Sequence, residues 1–506
     1  MQFNYTFGNP PFQDSKNRSK TQHKLWIEFT EKFFNEGLVD GGEMFWITPN
    51  SWGSPSNKVF KIFKQHDVKY LNLDIDHHFP NIGSTFGYFH IKNSPFDNKT
   101  TGVWKSGEQF SLKIDDEVKY FPSDFCNESI SIHKKVMFSN RARLDVKHDY
   151  VTCHNVIRHA KTLLKKKINN ISDKIQAAEE SETRSKFEER LKKYEQDLKD
   201  CVITISETKT NLHIHPVFHT NNKTWYSSIR QDFADNKKVM WSRSGYTKPF
   251  YDDGKLGCTD MGYYILVDIE GEGLRLEKFL TSPLMTYIFR TAKWSGFGNE
   301  IVFSSIPKID LSKDMDNDDY YKLFSLTKKE VDYVKKSGSK KRAKNKPGKD
   351  AEVKKESRKK NLGEVYTPCE LVLEMLERLD SKKWENANNT FIDPAGGSGN
   401  FLVEIVRKKI QTGSTPLQAV ETTYGIDIMP DNVAETRERI LDIAIENSSC
   451  DNRSEILEAV NKNIRLGNSL KHDLADIFSP NPSSELKKFR EEQFKSELLE
   501  EDNESR

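Results

Sequence analysis

Phe391-Ile392-Asp393-Pro394-Ala395-Gly396-Gly397-Ser398-Gly399-Asn400-Phe401 reads as a short apolar strand, a glycine turn and the start of a helix. Glycines at such a junction let backbone N–H groups close on a ligand at a helix N-terminus. The turn by itself is compatible with any nucleotide-binding fold. The next strand, Tyr424-Gly425-Ile426-Asp427, ends on an acid, and an acid so placed can accept hydrogen bonds from ribose hydroxyls. Upstream, Gly363-Glu364-Val365-Tyr366-Thr367-Pro368 leads into an amphipathic helix. Helices and strands alternate from Gly363 to Asp473, with further strands expected at Thr423–Ile428 and near Ile464.

The same alternation occupies the other end of the chain. Gln2–Phe7 reads as a strand that runs into Asn9-Pro10-Pro11-Phe12. Leu25–Phe34 has helical spacing, Met44–Thr48 is a buried strand ended by Pro49, and Tyr70–Ile75 and Phe86–Ile91 complete a layered α/β pattern. In the Asn-Pro-Pro-Phe turn, the Asn9 side-chain carbonyl and the Pro10 backbone carbonyl offer two acceptors for the protons of an amino group. Pro10 and Pro11 lack backbone donors and are stiff, so the acceptors stay in place. Phe12 presents a flat face on which a base can stack.

The stretch between the ends differs in kind. Leu164, Ile168, Ile171 and Ile175 recur at four-three-four spacing, and Phe187, Leu191, Tyr194 and Leu198 repeat it, so a helical hairpin is expected over 160–200. Residues 201–310 are rich in aromatics, glycine and short strand-like runs and read as an irregular mixed module. Residues 335–360 hold 13 Lys/Arg against 3 acids with almost no apolar residue, the composition of a flexible basic linker. The tail 476–506 is charged and carries no chemistry.

The composition narrows the setting. The formal charge is only +2 although 30% of residues are charged, so a nucleic-acid footprint must come from local clustering. No apolar run reaches the length of a membrane span, and no membrane partner is expected. The six cysteines are scattered without a Cys-x-x-Cys pair, which fits free thiols in a reducing interior. His213, His215 and His219 lack a cysteine or acid to complete a ligand set, so no metal is expected. No Pro-Asp…Glu-x-Lys nuclease pattern stands in a strand context.

Together these segments resemble the S-adenosylmethionine-dependent amino-methyltransferases of DNA, in particular the N6-adenine enzymes of restriction–modification systems. Gly363–Pro368 is similar to that family's tenth motif, Asp393–Phe401 to its first and Asp427 to the acid of its second. Gly467-Asn468-Ser469-Leu470 is similar to the third motif, with Asn468 where many relatives carry Asp. Asn9–Phe12 resembles the catalytic motif, Gly41–Trp52 the sixth and His78-Phe79-Pro80 the eighth. The catalytic motif precedes the cofactor motif, the reverse of the commonest order.

The resemblance implies an α/β, Rossmann-like seven-stranded sheet assembled from both chain ends, with an inserted α+β target-recognition domain. Residues 1–100 would supply the catalytic half and 361–475 the cofactor half, with 101–334 as the recognition region. It assigns Asn9, Pro10, Pro11 and Phe12 to catalysis and Phe79 to the base pocket. Tyr366, Thr367, Pro368, Asp393, Pro394, Ala395, Gly396, Gly399, Asn400, Phe401, Asp427, Ile428, Asn468 and Ser469 would bind S-adenosylmethionine. Arg243, Ser244, Lys248, Lys293 and Trp294 combine cationic, hydrogen-bonding and aromatic character suited to duplex DNA. Asn at the head of the turn leans towards adenine N6; cytosine N4, RNA and protein amides are the alternative targets. A separate restriction endonuclease fits as partner, and the cell interior, the host's for a phage-encoded chain, as location.

Overall fold

The computed structural model describes residues 1–12, 25–54, 57–79, 85–95, 100–114, 117–148, 168–173, 175, 181–199, 205–220, 223–243, 248–292, 300–337, 366–448 and 452–504. The chain divides into two compact units, one of residues 1–116 with 342–506 and the other of 117–341.

The first unit is built on strands β1 (Phe3–Gly8), β2 (Leu38–Pro49), β3 (His66–Asn72), β4 (Phe86–Pro95), β5 (Thr101–Lys105) and β6 (Glu108–Leu112). Eight strands of the second unit intervene before β15 (Phe391–Asp393), β16 (Thr423–Asp427) and β17 (Ile464–Leu466). They form one nine-stranded sheet in the order β17-β16-β15-β1-β2-β4-β3-β5-β6. The five strands from β17 to β2 are parallel; β4 is antiparallel to both β2 and β3.

Strand β1 therefore sits at the centre, hydrogen-bonded to β15 on one side and β2 on the other. Its apolar side chains Phe3, Tyr5 and Phe7 alternate with Asn4 and Thr6, and all of these but Asn4 are buried, as befits a central strand. Tyr5 pairs with Phe391 and Thr6 with Ile392, joining segments from opposite ends of the chain. Asn4 clamps this junction. Its backbone N–H donates to Thr390, and its side-chain carbonyl accepts from the Thr390 backbone N–H at 2.9 Å and hydroxyl at 3.0 Å.

One core cluster draws on both ends: Tyr5, Phe7, Phe45 and Tyr88 with Leu371, Met375, Trp384, Phe391 and Phe401. Phe7 stacks on Phe45 at 4.3 Å, and Phe391 lies between Tyr5 (4.9 Å) and Trp384 (4.8 Å). The helix Cys369–Leu376 closes this face, and Glu374 accepts from Asn72 and Tyr88, each at 2.8 Å.

Nine strands replace the expected seven because β5 and β6 add a hairpin. Ser106 and Gly107 both take positive φ, 54° and 75°, the twist-matched geometry of a two-residue hairpin turn. β5 runs parallel to β3, so the first unit reaches residue 116, past the boundary expected at 100.

Among its described residues the second unit holds two four-stranded sheets: β13 (Gly257–Cys258), β9 (His215–Phe218), β10 (Thr224–Ser227) and β8 (Ile205–Ser206) in that order, and β12 (Phe250–Asp253), β11 (Lys237–Ser242), β14 (Gly262–Leu266) and β7 (Lys147–His148) in that order. The central strand of the second, β11, pairs antiparallel with β12 and β14. Helices Asn127–Val136, Glu270–Leu280, Pro283–Thr291 and Lys328–Ser337 belong to the same unit, an α+β composition. Lys238 is fully buried and its ammonium meets Asp252 at 2.8 Å. Of the expected hairpin, 168–173 is helical and Ser181–Lys199 forms a helix that starts at the expected break. The linker lies mostly outside the described residues.

Phe391→Ala removes the ring on which both chain ends pack. It should cost about 3–5 kcal/mol in urea unfolding, whereas Phe494→Ala, at an exposed position, should stay within about 0.5 kcal/mol.

Candidate functional site

Strand order locates the site. From β15 the chain winds outward through β16 to β17, and from β1 it winds the opposite way to β2. The ends of β15 and β1 thus flank a topological switch point, where a crevice opens beyond the C-terminal ends of parallel strands. The glycine turn leaves β15 there, and the Asn9 turn leaves β1 beside it.

The glycine turn is shaped by its backbone. Gly397 and Gly399 take positive φ, 53° and 85°, and Gly399 caps the helix Asn400–Gln411 in the left-handed conformation. A Cβ on Gly399 would also stand 2.7 Å from Thr436, so close packing and backbone sign both exclude a side chain. The Gly397 N–H donates to Asp427 at 2.8 Å; Asp427 also accepts from the Met429 N–H and from Asn432. Large apolar side chains remain exposed on either side in sequence, at Tyr366 and Ile428.

Asp393 ends β15 with a fully buried carboxyl. Burial pushes it up to about 8; the Ala395 N–H draws it down, and the charge of Asp427 adds to the rise. A Cβ on Gly8 would stand 2.9 Å from Asp393 Oδ1, so glycine at the end of β1 makes room for this group. Ser469 donates to the Pro394 carbonyl and holds the other flank of the turn. Asn468 spends its carbonyl on the N–H groups of Leu470 and Lys471, both at 3.1 Å.

The two chain ends meet at Thr367. Asn9 Nδ2 donates to Thr367 Oγ1 at 3.2 Å, and Asn400 Nδ2 donates to the Thr367 carbonyl at 2.8 Å. Arg439 completes the chain by donating to Asn400 Oδ1 at 2.9 Å and to the Ser398 carbonyl. Pro10 is buried and Pro11 half-buried. Phe12 stacks on Phe86 at 5.0 Å, and Phe79 tilts against the same ring at 5.5 Å. Phe79 is a buried core residue and Phe12 is half-buried against that core.

Sequence reading missed Asn432, Thr436 and Arg439. All three project from the helix Pro430–Glu446 to the site: Asn432 to Asp427, Thr436 to the Gly397 carbonyl, Arg439 to Ser398 and Asn400. Their four-then-three spacing, one helix face, was the available signal.

Among the expected DNA contacts, Arg243 pairs with Glu300 at 2.6 Å and is half-buried, so its charge is already engaged. Lys248 is exposed. Ser244, Lys293 and Trp294 lie outside the described residues. His219 is buried with its ring 2.9 Å from the Thr259 hydroxyl, and His213 bonds Thr210. No group of three metal-ligating side chains occurs among the described residues. No helix among them is long and apolar enough to cross a membrane.

A glycine turn and an acid thus stand at adjacent strand ends, beside a switch point. Residues 352–489, which contain that turn, match the family model described as N-6 DNA Methylase. No curated protein matches the chain in sequence. Among solved structures, the type IIG restriction endonuclease BpuSI is 12% identical (TM-score 0.23), covering 63% of this chain and 44% of its own. The type IIL restriction-modification enzyme MmeI, solved with DNA, is 12% identical (0.27), with 91% and 56% covered. A nuclease-deletion mutant of the type ISP enzyme LlaGI, solved with a DNA substrate mimic, is 11% identical (0.31), with 66% and 41% covered. The chain spans about half the length, or less, of these proteins.

The raised carboxyl gives a test with a definite sign. Folded Asp393 holds a proton up to about pH 8, and unfolded Asp releases it near 4. Its stabilising contribution is therefore present at low pH and lost as pH rises from about 4 to about 8. Thermal melts should show wild type losing stability relative to Asp393→Asn across that window; parallel curves would refute the buried proton.

Proposed function

We propose that the chain is a site-specific DNA methyltransferase that transfers a methyl group to the N6 amine of an adenine flipped out of duplex DNA. The observation that carries this reading is the adjacency of the Asn9 turn and the glycine turn at the ends of neighbouring strands β1 and β15. The match of 352–489 to the N-6 DNA methylases supports it.

The donor set suits S-adenosylmethionine. Asp427 would accept from its ribose hydroxyls, and the exposed apolar faces of Tyr366 and Ile428 would meet its purine. The Asn468 amide nitrogen can donate to a ring nitrogen. When bound, the cofactor supplies a methyl group activated by its sulfonium.

The chain's own residues prepare the acceptor. Asn9 Oδ1 and the Pro10 carbonyl accept the two amine protons and favour the tetrahedral nitrogen that forms as the N–C bond closes. The released proton passes to water. Phe12 stacks on the flipped base, while Phe79 supports this wall from the core. Unit 117–341 serves as the target-recognition domain, with Lys248 available to phosphate. A partner nuclease would account for restriction, and the enzyme acts in the cell interior where its DNA lies.

Incubation with methyl-labelled S-adenosylmethionine and separate DNA, RNA and protein pools should label DNA alone, as N6-methyladenine. Asn9→Ala should lower transfer by about 100-fold or more while leaving S-adenosylhomocysteine binding unchanged. Label in RNA, in protein or on cytosine N4 would replace this reading, and a fully active Asn9→Ala would refute the mechanism.

A further inference from the structure

We propose that Thr367 is a positioning residue that sets the orientation of the Asn9 carboxamide, rather than a cofactor ligand. The inference rests on the functional reading above and assigns Thr367 a part in it that the family resemblance does not.

A carboxamide has a donor end and an acceptor end, and only the acceptor end serves an amine. The Asn9 side chain can turn about its terminal bond, which has broad and roughly two-fold preferences, so something must select one orientation. Thr367 Oγ1 receives Asn9 Nδ2 at 3.2 Å, which commits the donor end and turns the carbonyl to the remaining side.

Thr367 is suited to this because it is fixed on every side. It precedes Pro368, which restricts its backbone to the extended region. Pro368 caps the helix Cys369–Leu376, its carbonyl accepting from the Leu371 and Val372 N–H groups at 3.1 Å. That helix buries Leu371, Val372, Met375 and Leu376. The Thr367 carbonyl is held by Asn400 at 2.8 Å, and the residue is buried. Its β-branched side chain is stiff at χ1. Asn9 in turn precedes Pro10, so both partners sit on proline-restricted backbone.

The hydrogen bond also spans the break in motif order. Thr367 bonds Asn9 at one chain end and Asn400 beside the glycine turn at the other, and Arg439 bonds Asn400 and Ser398. The catalytic turn is thereby referenced to the cofactor turn through side chains rather than through the sheet alone.

The test uses the full chain with methyl-labelled S-adenosylmethionine and duplex DNA, and S-adenosylhomocysteine binding by calorimetry. Thr367→Val should lower kcat about 10- to 100-fold, less than the roughly 100- to 1,000-fold of a directly lost catalytic hydrogen bond because Thr367 acts through Asn9, with S-adenosylhomocysteine affinity within twofold of wild type. Thr367→Ser, which keeps the hydroxyl, should restore at least a third of wild-type kcat. Thr367→Ala serves the same comparison if valine does not fit the buried site. Loss of S-adenosylhomocysteine affinity in proportion to activity would make Thr367 a cofactor ligand and overturn the proposal. Unchanged kcat in the variants lacking the hydroxyl would overturn it as well. A wild-type chain that methylates no DNA removes the functional reading itself, and that result appears before any variant is compared.

Discussion

Everything in the first unit depends on β1 filling the slot between β15 and β2. The strand is six residues long, and both its neighbours are parallel to it. Parallel neighbours cannot be joined by a tight turn, so each pairing must be reached by a long connection. For β2 that connection is the helix Leu25–Lys32 and its flanks; for β15 it is most of the chain. The register between Tyr5 and Phe391 is nevertheless unambiguous, because a slip by one residue would turn the buried aromatics of β1 to the wrong face. The Asn4–Thr390 clamp reinforces it at the strand's start.

That slot also brings together segments from opposite ends of the chain. A sheet is indifferent to which connection is cut, provided that every strand finds its neighbours. Once β1 lies beside β15, Gly8 and Asp393 end side by side, and the missing Cβ at Gly8 leaves space for the carboxyl. The Asn9 turn and the glycine turn then leave the sheet next to each other. Thr367, Asn400 and Arg439 tie the two turns together above the sheet. The core cluster under them holds the same junction from below, so the crevice is braced on both sides.

Much of this was legible in the sequence, and the exceptions have physical reasons. The strand at Phe3–Gly8 was readable from the alternation of Phe3, Tyr5 and Phe7, and those at Phe391–Asp393 and Thr423–Asp427 from short runs of aromatic and β-branched residues leading into a turn. The turns were readable because their glycines and prolines are demanded by backbone geometry. The β5–β6 hairpin escaped because Thr101–Leu112 is short, half-polar and one-sided, as an exposed sheet edge is. Asn432, Thr436 and Arg439 escaped because a polar stripe on a helix is usually a solvated face. Arg243 shows the converse: a conspicuous cation read as a phosphate contact is paired with Glu300, a partner distant in sequence that only folding brings close.

The most direct test of a single site built from both chain ends is amide hydrogen exchange with and without S-adenosylhomocysteine. The account predicts that ligand slows exchange in peptides covering 391–401 and in those covering 3–12 together. Protection confined to 391–401, with 3–12 unchanged at saturating ligand, would contradict it.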